Sequence, residues 1–324
     1  MTPSSPRSSL KLLILCALLF GGGSLAGPAF AGAPWNGPVV ASTTLHIGGA
    51  SVQVDFGPGP LDLPRERVLA WVETAAKTVS GYYGGFPVRS ARILIQPIGG
   101  ERGVLQGTTW GDVGGFPAFT RMRLGEHTTG QDLDQDWTMT HELVHTAFPE
   151  MADEHHWIEE GIATYVEPVA RAQRGLLSPE TIWGDMMRDM GKGDPGLLDR
   201  GLDRTHTWGR TYWGGAQFCL LADVTIRRRT GNRKGLEDAL RAIVAAGGTI
   251  DKQWPLERAL EAGDRGTGTT VLEDLYKQMG ETPMRIDLRL LWTNLGVTTG
   301  DGGVRLVDQA PEAAIRQAIT RKPI

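Results

Sequence analysis

The sequence predicts an α+β fold, with a small mixed α/β lobe followed by a mainly helical lobe. Three observations predict it. Before residue 130, short segments alternate apolar and polar residues around one amphipathic helix. From Asp132 onward, apolar residues recur at helical spacing. The chain also carries 44 Gly and 19 Pro in 324 residues, which fits many turns and loops.

The first segment reads as a targeting signal. Arg7 and Lys11 supply positive charge, and residues 12–20 form an apolar run too short to span a bilayer. Ala29-Phe30-Ala31 then offers small residues where a signal peptidase reads. The expectation is a signal peptide over residues 1–31, a mature chain starting near Gly32, and export to the periplasm or the extracellular space. Cys16 follows the bulky Leu15, whereas lipid-attachment sites place a small residue there. Cleavage leaves Cys219 alone, so no internal disulfide is expected.

Residues 32–60 are rich in Gly and Pro, with strands at 44–47 and 52–54. Residues 64–83 read as an amphipathic helix with Val68, Leu69, Val72 and Ala76 on its apolar side. A strand follows at 91–96, through Ile93 and Ile95. Two more at 103–109 and 118–124 enclose the turn Gly111-Asp112-Val113-Gly114-Gly115. Helices are expected at 132–148, 157–170, 179–190, 209–230, 235–246, 255–262 and 270–279. From Thr282 come a short helical piece and a hairpin around residues 300–303. The lobes are therefore drawn at 32–130 (α/β) and 131–285 (helical), with a C-terminal segment over 286–324.

Charge excludes some partners. The net charge is −4 with both signs interspersed, and no long basic stripe points to nucleic acid. Arg227-Arg228-Arg229 falls at the end of a predicted helix, where cations face the negative end of the dipole. No apolar run after the leader is long enough for a membrane span, so no stable membrane anchor is expected.

Residues 141–145 read His-Glu-Leu-Val-His. Positions i and i+4 of a helix share a face, so His141 and His145 can both reach one ion, with Glu142 beside them. Asp132, Asp134 and Asp136 lie near the predicted N-terminus of this helix. Trp137, Leu143, Val144 and Phe148 read as its apolar anchors. A second amphipathic helix starts at Trp157. Its Ile158, Ile162, Tyr165 and Val169 share a core face, and Glu160, Thr164 and Glu167 share another. Glu160 precedes Gly161, and a glycine inside a helix costs about 1 kcal/mol relative to Ala, so it marks close approach of something. Glu160 is therefore the candidate third ligand.

Other chemistries fail. Asp132-x-Asp134-x-Asp136 begins like a calcium loop, but Trp137 stands where Gly is needed and Leu143 where Glu is needed. His155 and His156 diverge on a helix and read as exposed loop histidines. Cys219 sits among Phe218, Leu220 and Leu221 and reads as a small buried hydrophobe. No phosphate-cradling loop or nucleophile elbow occurs.

His141 to His145, followed by Trp157-Ile158-Glu159-Glu160-Gly161-Ile162-Ala163, resembles the gluzincin signature, in which a Glu before Gly is the third ligand. That match selects Glu160 over Glu159. Tyr212-Trp213-Gly214-Gly215-Ala216, running on through Asp223 to Thr230-Gly231, resembles the Tyr-bearing helix of the membrane-alanyl and glycyl aminopeptidases. The glycyl type is the nearer likeness, including Asp287-Leu288 and Leu295-Gly296-Val297. The likeness spans roughly residues 137–300.

The resemblance implies a thermolysin-like bilobal zincin domain holding Zn2+ on His141, His145 and Glu160. It implies a peptide or protein substrate, Glu142 as general base to the attacking water, and Tyr212 as donor to the oxyanion. His206 is the fallback donor. Thr164 and Glu167 are candidates for orienting the ligands. A strand near 115–124 is expected to hold an extended substrate by β-pairing. Two departures stand out. Only 14 residues separate His145 from Glu160, fewer than usual in these families, and no Gly-Ala-Met-Glu-Asn exopeptidase motif occurs. Aminopeptidase and endopeptidase action both stay open. The rival class is a non-catalytic secreted binding module that retains the zincin fold; Glu142 and Tyr212 argue against it, since neither is needed to hold the metal.

Overall fold

A computed structural model of the chain describes residues 37–300 and 303–322. The expected leader over residues 1–31, Cys16 within it, and residues 301–302 of the expected hairpin lie outside the described residues.

The N-terminal lobe is one mixed sheet of five strands in the order β1-β2-β3-β5-β4. These are β1 (Ala41–Ile47), β2 (Ala50–Phe56), β3 (Ser90–Ile98), β4 (Val104–Val113) and β5 (Phe116–Gly125). β1 and β2 form an antiparallel hairpin. β3 lies parallel to β2, and a parallel neighbour needs a crossover, which helix α1 (Arg65–Tyr83) supplies. β5 is parallel to β3, and β4 is antiparallel to β5. Ile93, Leu94 and Ile95 of β3 are all fully buried, as a central strand covered on both faces requires. Val68, Val72, Ala76 and Val79 of α1 recur every three or four residues and are buried in the core.

This topology corrects one expectation. The segment 115–124 is interior, because β5 is hydrogen-bonded on both sides. Its backbone groups are already used in the ladder and cannot pair with a substrate. Among the described residues, the unpaired edge on this side of the sheet belongs to β4.

The helical region comprises α2 (Gly130–Gln135), α3 (Thr138–Val144), α4 (His156–Gln173), α5 (Pro179–Asp189), α6 (Gly215–Thr230), α7 (Leu236–Ala245), α8 (Leu256–Thr267) and α9 (Val271–Met279). After it come α10 (Leu288–Leu295), the hairpin of β6 (Val297–Gly300) and β7 (Gly303–Leu306), and α11 (Ala313–Thr320). Sheet lobe and helical region together make the α+β architecture that the patterning predicts.

Two helices differ from their expected form. The single helix over 132–148 is broken at Asp136 and ends in a 3-10 turn, His145–Ala147. Asp136 has extended backbone, and its carboxylate accepts from the amides of Thr138 and Met139, both at 3.0 Å. An Asp that caps a new helix competes with continuation of the old one. The helix over 209–230 opens as a π-helical turn, Gly209–Gly214, before α6. α11 was missed by periodicity; it is two turns long and buries only Ile315, Arg316, Ile319 and its ends.

α4 is buried on nearly all sides, not on one face only. Ile158, Ile162, Tyr165 and Val169 enter the core as expected, but Glu160 and Glu167 are buried as well. A buried carboxylate needs a partner. Glu167 has Arg171 at 2.7 Å one turn on; the partners of Glu160 define the site described next. The three arginines ending α6 are each engaged with acids. Arg227 is buried between Asp223 and Glu237, Arg228 pairs with Glu312, and Arg229 pairs with Asp274.

Candidate metal centre

The short helix α3 is anchored at its start, so its side chains are aimed. Besides capping the helix, the Asp136 carboxylate accepts from the indole of Trp71 on α1 at 3.1 Å. His141 lies one turn on, buried with Glu142. His145 follows as the first residue of the 3-10 turn, and the two imidazoles stand 5.0 Å apart at 83°. The change from α to 3-10 winding therefore leaves the i, i+4 pair on one side.

Glu160 arrives from α4. Gly161, the next residue, packs directly on Gly215 of α6; a Cβ on either would collide with the backbone of the other helix. This is the close approach that a glycine inside a helix signals. One Glu160 oxygen, Oε2, lies 3.1 Å from Nε2 of His141 and 3.8 Å from Nε2 of His145. The other, Oε1, lies 3.5 Å from Nε2 of His156. Glu159 points elsewhere, accepting from the Met151 amide and facing His156.

The three donor atoms of His141, His145 and Glu160 all lie within 4.8 Å of one another. Two donors about 2.0–2.1 Å from a tetrahedral zinc ion stand roughly 3.3 Å apart, so separations of this order fit that ion. Two imidazole nitrogens with one carboxylate oxygen also form a donor set that suits zinc. The residues present fit the metal.

The electrostatics match a cation site. Burial opposes ionisation of Glu160, but His145 and His141 outweigh it and hold the carboxylate at about 2. Burial pushes His145 down to about 4. Burial also pulls His141 down, but its hydrogen bond to Glu160 more than reverses this. Glu142 is the contrast. Burial lifts its carboxyl to about 7, with the Glu160 charge adding to the lift and His141 and Thr109 opposing it. Thr109 Oγ1 on β4 donates to Oε2 of Glu142 at 2.8 Å. Two residues earlier, Gly107 leaves the room Glu142 occupies, since a Cβ there would collide with its side chain.

Tyr212 comes from the π-helical turn, a rare winding that is frequent at functional sites. Its ring lies 6.4 Å from that of His141 at 20°. Burial first, then the charges of Glu160 and Glu142, hold its phenol well above the usual value, so it stays a donor.

Comparison with solved structures places the fold. The chain is similar to the crystal structure of an aminopeptidase N family protein from Idiomarina loihiensis, with 13% identity and a TM-score of 0.57 over 80% of this chain and 49% of that one. It is also similar to a variant of the M1 zinc metallopeptidase from Deinococcus radiodurans, with 14% identity and a TM-score of 0.50 over 76% of this chain and 53% of that one. The fold is that of the M1 zinc metallopeptidases. The chain spans about half the length of these two structures. No protein-family model and no curated protein matches it in sequence.

Within this M1 fold, the structure brings His141, Glu142, His145, Glu160 and Tyr212 together. Thr164 is half-buried on α4, and His206 is exposed in the loop before the π turn. Glu167 is buried and its charge reaches His141, while its carboxylate accepts a hydrogen bond from Arg171. Two histidine readings are corrected. His155 is largely buried and paired with Asp203 at 2.9 Å; His156 is exposed as expected but opens α4 beside Glu159 and Glu160 rather than lying in a loop. Trp137, read as an apolar anchor, is 53% exposed. Sequence reasoning missed Thr109, Trp208 and the site-facing role of Trp137. The only signal was spacing: each Trp stands four residues before a site residue, His141 or Tyr212. For Thr109 no local signal exists.

Proposed function

We propose that the protein is a zinc-dependent metallopeptidase. The carrying observation is the convergence of His141, His145 and Glu160 on one point, with the buried Glu142 carboxylate and the half-buried Tyr212 phenol beside it. His141, His145 and Glu160 would hold the ion. When bound, zinc would supply Lewis acidity there, polarising a carbonyl and acidifying a water.

The remaining work belongs to side chains. Glu142 takes the proton of the attacking water and delivers it to the leaving amine. A carboxyl lifted toward neutrality suits both roles. Thr109 holds that carboxylate in place. Tyr212, kept protonated, donates to the carbonyl oxygen as it gains negative charge. An extended peptide has the unpaired edge of β4 to lie against, with Gly107 beside Glu142. The apolar leader in residues 12–20 supports action outside the cytoplasm.

The test is Glu142→Gln. Zinc content measured on the purified protein should be unchanged, while hydrolysis of a mixed peptide library, active in the wild type and stopped by a chelator, should vanish. A wild type that carries zinc and hydrolyses no peptide would return the protein to the class of binding modules.

A further inference from the structure

Among the large apolar side chains of the described residues that are exposed, two are tryptophans, and both stand beside the metal centre. Trp137 is 53% exposed and Trp208 56%, whereas His141, Glu142 and Glu160 are buried. The rings form a connected row. Trp137 meets His141 edge-on at 5.4 Å, His141 faces Tyr212 at 6.4 Å, and Tyr212 stacks on Trp208 at 5.9 Å. The two tryptophans thus stand at opposite ends of this row and come from different elements, Trp137 against His141 from the start of α3 and Trp208 against Tyr212 from the start of the π-helical turn.

Both rest against rings of the protein before any ligand arrives. Trp137 opens a helix whose first turn is fixed by Asp136. Trp208 stacks on Tyr212 and has the ammonium of Lys192 at 5.9 Å from its ring. Lys192 is itself paired with Asp189 at 2.8 Å and lies 5.5 Å from the ring of Trp213. An aromatic ring held rigid loses little entropy when a ligand covers it. Exposed indole faces at the rim of a buried polar centre are what a cleft offers to aromatic and large aliphatic side chains, which gain from both area burial and stacking.

We propose that Trp137 and Trp208 are the side-chain-binding walls beside this metal centre, and that its preferred substrates are peptides carrying aromatic or large aliphatic residues next to the scissile bond. This rests on the peptidase reading for the word substrate, but the wall itself can be tested without turnover.

The experiment measures binding by calorimetry to the full-length, zinc-loaded Glu142→Gln protein. The probes are the hexapeptides Ala-Ala-Phe-Phe-Ala-Ala and Ala-Ala-Ala-Ala-Ala-Ala, each with free and with capped N-termini. The Phe peptide should bind at least tenfold more tightly. Trp137→Ala or Trp208→Ala in that background should weaken it roughly 10- to 100-fold, as truncation of a central tryptophan does. Trp137→Phe and Trp208→Phe should restore most of the affinity, with zinc content constant throughout, which separates loss of the wall from loss of the fold. Equal affinity for the two peptides, or alanine variants that bind as their parent does, overturns the proposal. Wild-type hydrolysis of both peptides at equal rates also overturns it, while leaving the peptidase reading intact. Phe-dependent binding that needs both tryptophans, without hydrolysis by the wild type, sustains the wall and overturns the peptidase reading instead.

Discussion

Thr109 links Glu142 to Thr120 through one hydroxyl. It has two acceptors on Glu142, the carboxylate at 2.8 Å and the backbone carbonyl at 3.1 Å, and it shares a hydrogen bond with the Thr120 hydroxyl 3.0 Å away. A neutral chain from the sheet thereby fixes the rotamer of the proposed base on α3. A hydrogen bond to a charged group contributes about 1.5–3 kcal/mol. Thr109→Val keeps the shape and removes the donor, so kcat should fall roughly 10- to 100-fold. Thr109→Ser should stay near the wild type, and zinc content should not move. A valine variant with full kcat would remove Thr109 from the account.

The contact of Gly161 with Gly215 predicts a stability change opposite to helix propensity. Ala is favoured over Gly in a helix interior by about 1 kcal/mol. At Gly161 the added Cβ would collide with the backbone of Gly215, and overpacking typically costs about 1–3 kcal/mol. The clash wins, so Gly161→Ala should destabilise the protein in urea denaturation and displace the π-helical turn that carries Tyr212. Gly81→Ala is the control. Its Cβ would meet nothing, so it should stabilise by about 0.4–1 kcal/mol. Two substitutions shifting stability in the same direction would contradict the packing argument.

The half-buried pair of His155 and Asp203 predicts a pH dependence of stability. The Asp203 carboxylate also accepts from Trp157 at 2.7 Å and Tyr276 at 2.8 Å. Burial raises Asp203, but hydrogen bonds from His155, Trp157 and Tyr276 carry it below its ordinary value. The bond to Asp203 raises His155, with Glu154 and Glu257 adding attraction. A raised His stabilises below its unfolded pKa of about 6.5 and loses that contribution as pH climbs through the folded value. A lowered Asp stabilises above about 3.9 and loses its contribution as pH falls through the folded value. The pair therefore helps most between roughly pH 4 and 6.5. The stability gap between wild type and His155→Gln should peak there, at about 1 kcal/mol or less because solvent screens the pair. A gap that keeps its size at pH 9 would refute the assignment.

Metal binding should show as stability. A ligand bound only by the folded state stabilises by about 4 kcal/mol at a thousand times its Kd. Zinc should therefore raise the melting temperature of chelated protein by about ten degrees. Glu160→Gln keeps the shape but removes one of the three donors, and should abolish most of that rise in calorimetric melting. An equal rise in the variant would place the ion elsewhere.

Much of the fold was legible because its elements carry their own period. The apolar stripe of α1 through Val68, Val72 and Ala76 needs no knowledge of its partner, although Leu69, read onto the same side, is only half-buried; Ile93 and Ile95 mark β3 in the same local way. The break at Asp136 was harder to read. An Asp inside a helical pattern either continues the helix at some cost or caps a new one, and here the indole of Trp71, 65 residues away in sequence, accompanies the second outcome. His155 was misread for the same reason. Its partner Asp203 is 48 residues away.

By itself, the sequence determined the local half of the centre. His141 and His145 share a face because the helical repeat is about 3.6 residues, and Gly161 announces a close neighbour because nothing else favours glycine inside a helix. Only the tertiary structure decided that the neighbour is Gly215, that β4 rather than β5 keeps a free edge, that Thr109 holds Glu142, and that Trp137 faces solvent. The physical reason is the range of the forces involved. Covalent geometry and periodicity act within a few residues and are written in order along the chain. Packing and hydrogen bonding between distant segments depend on which surfaces meet, and no single segment encodes that.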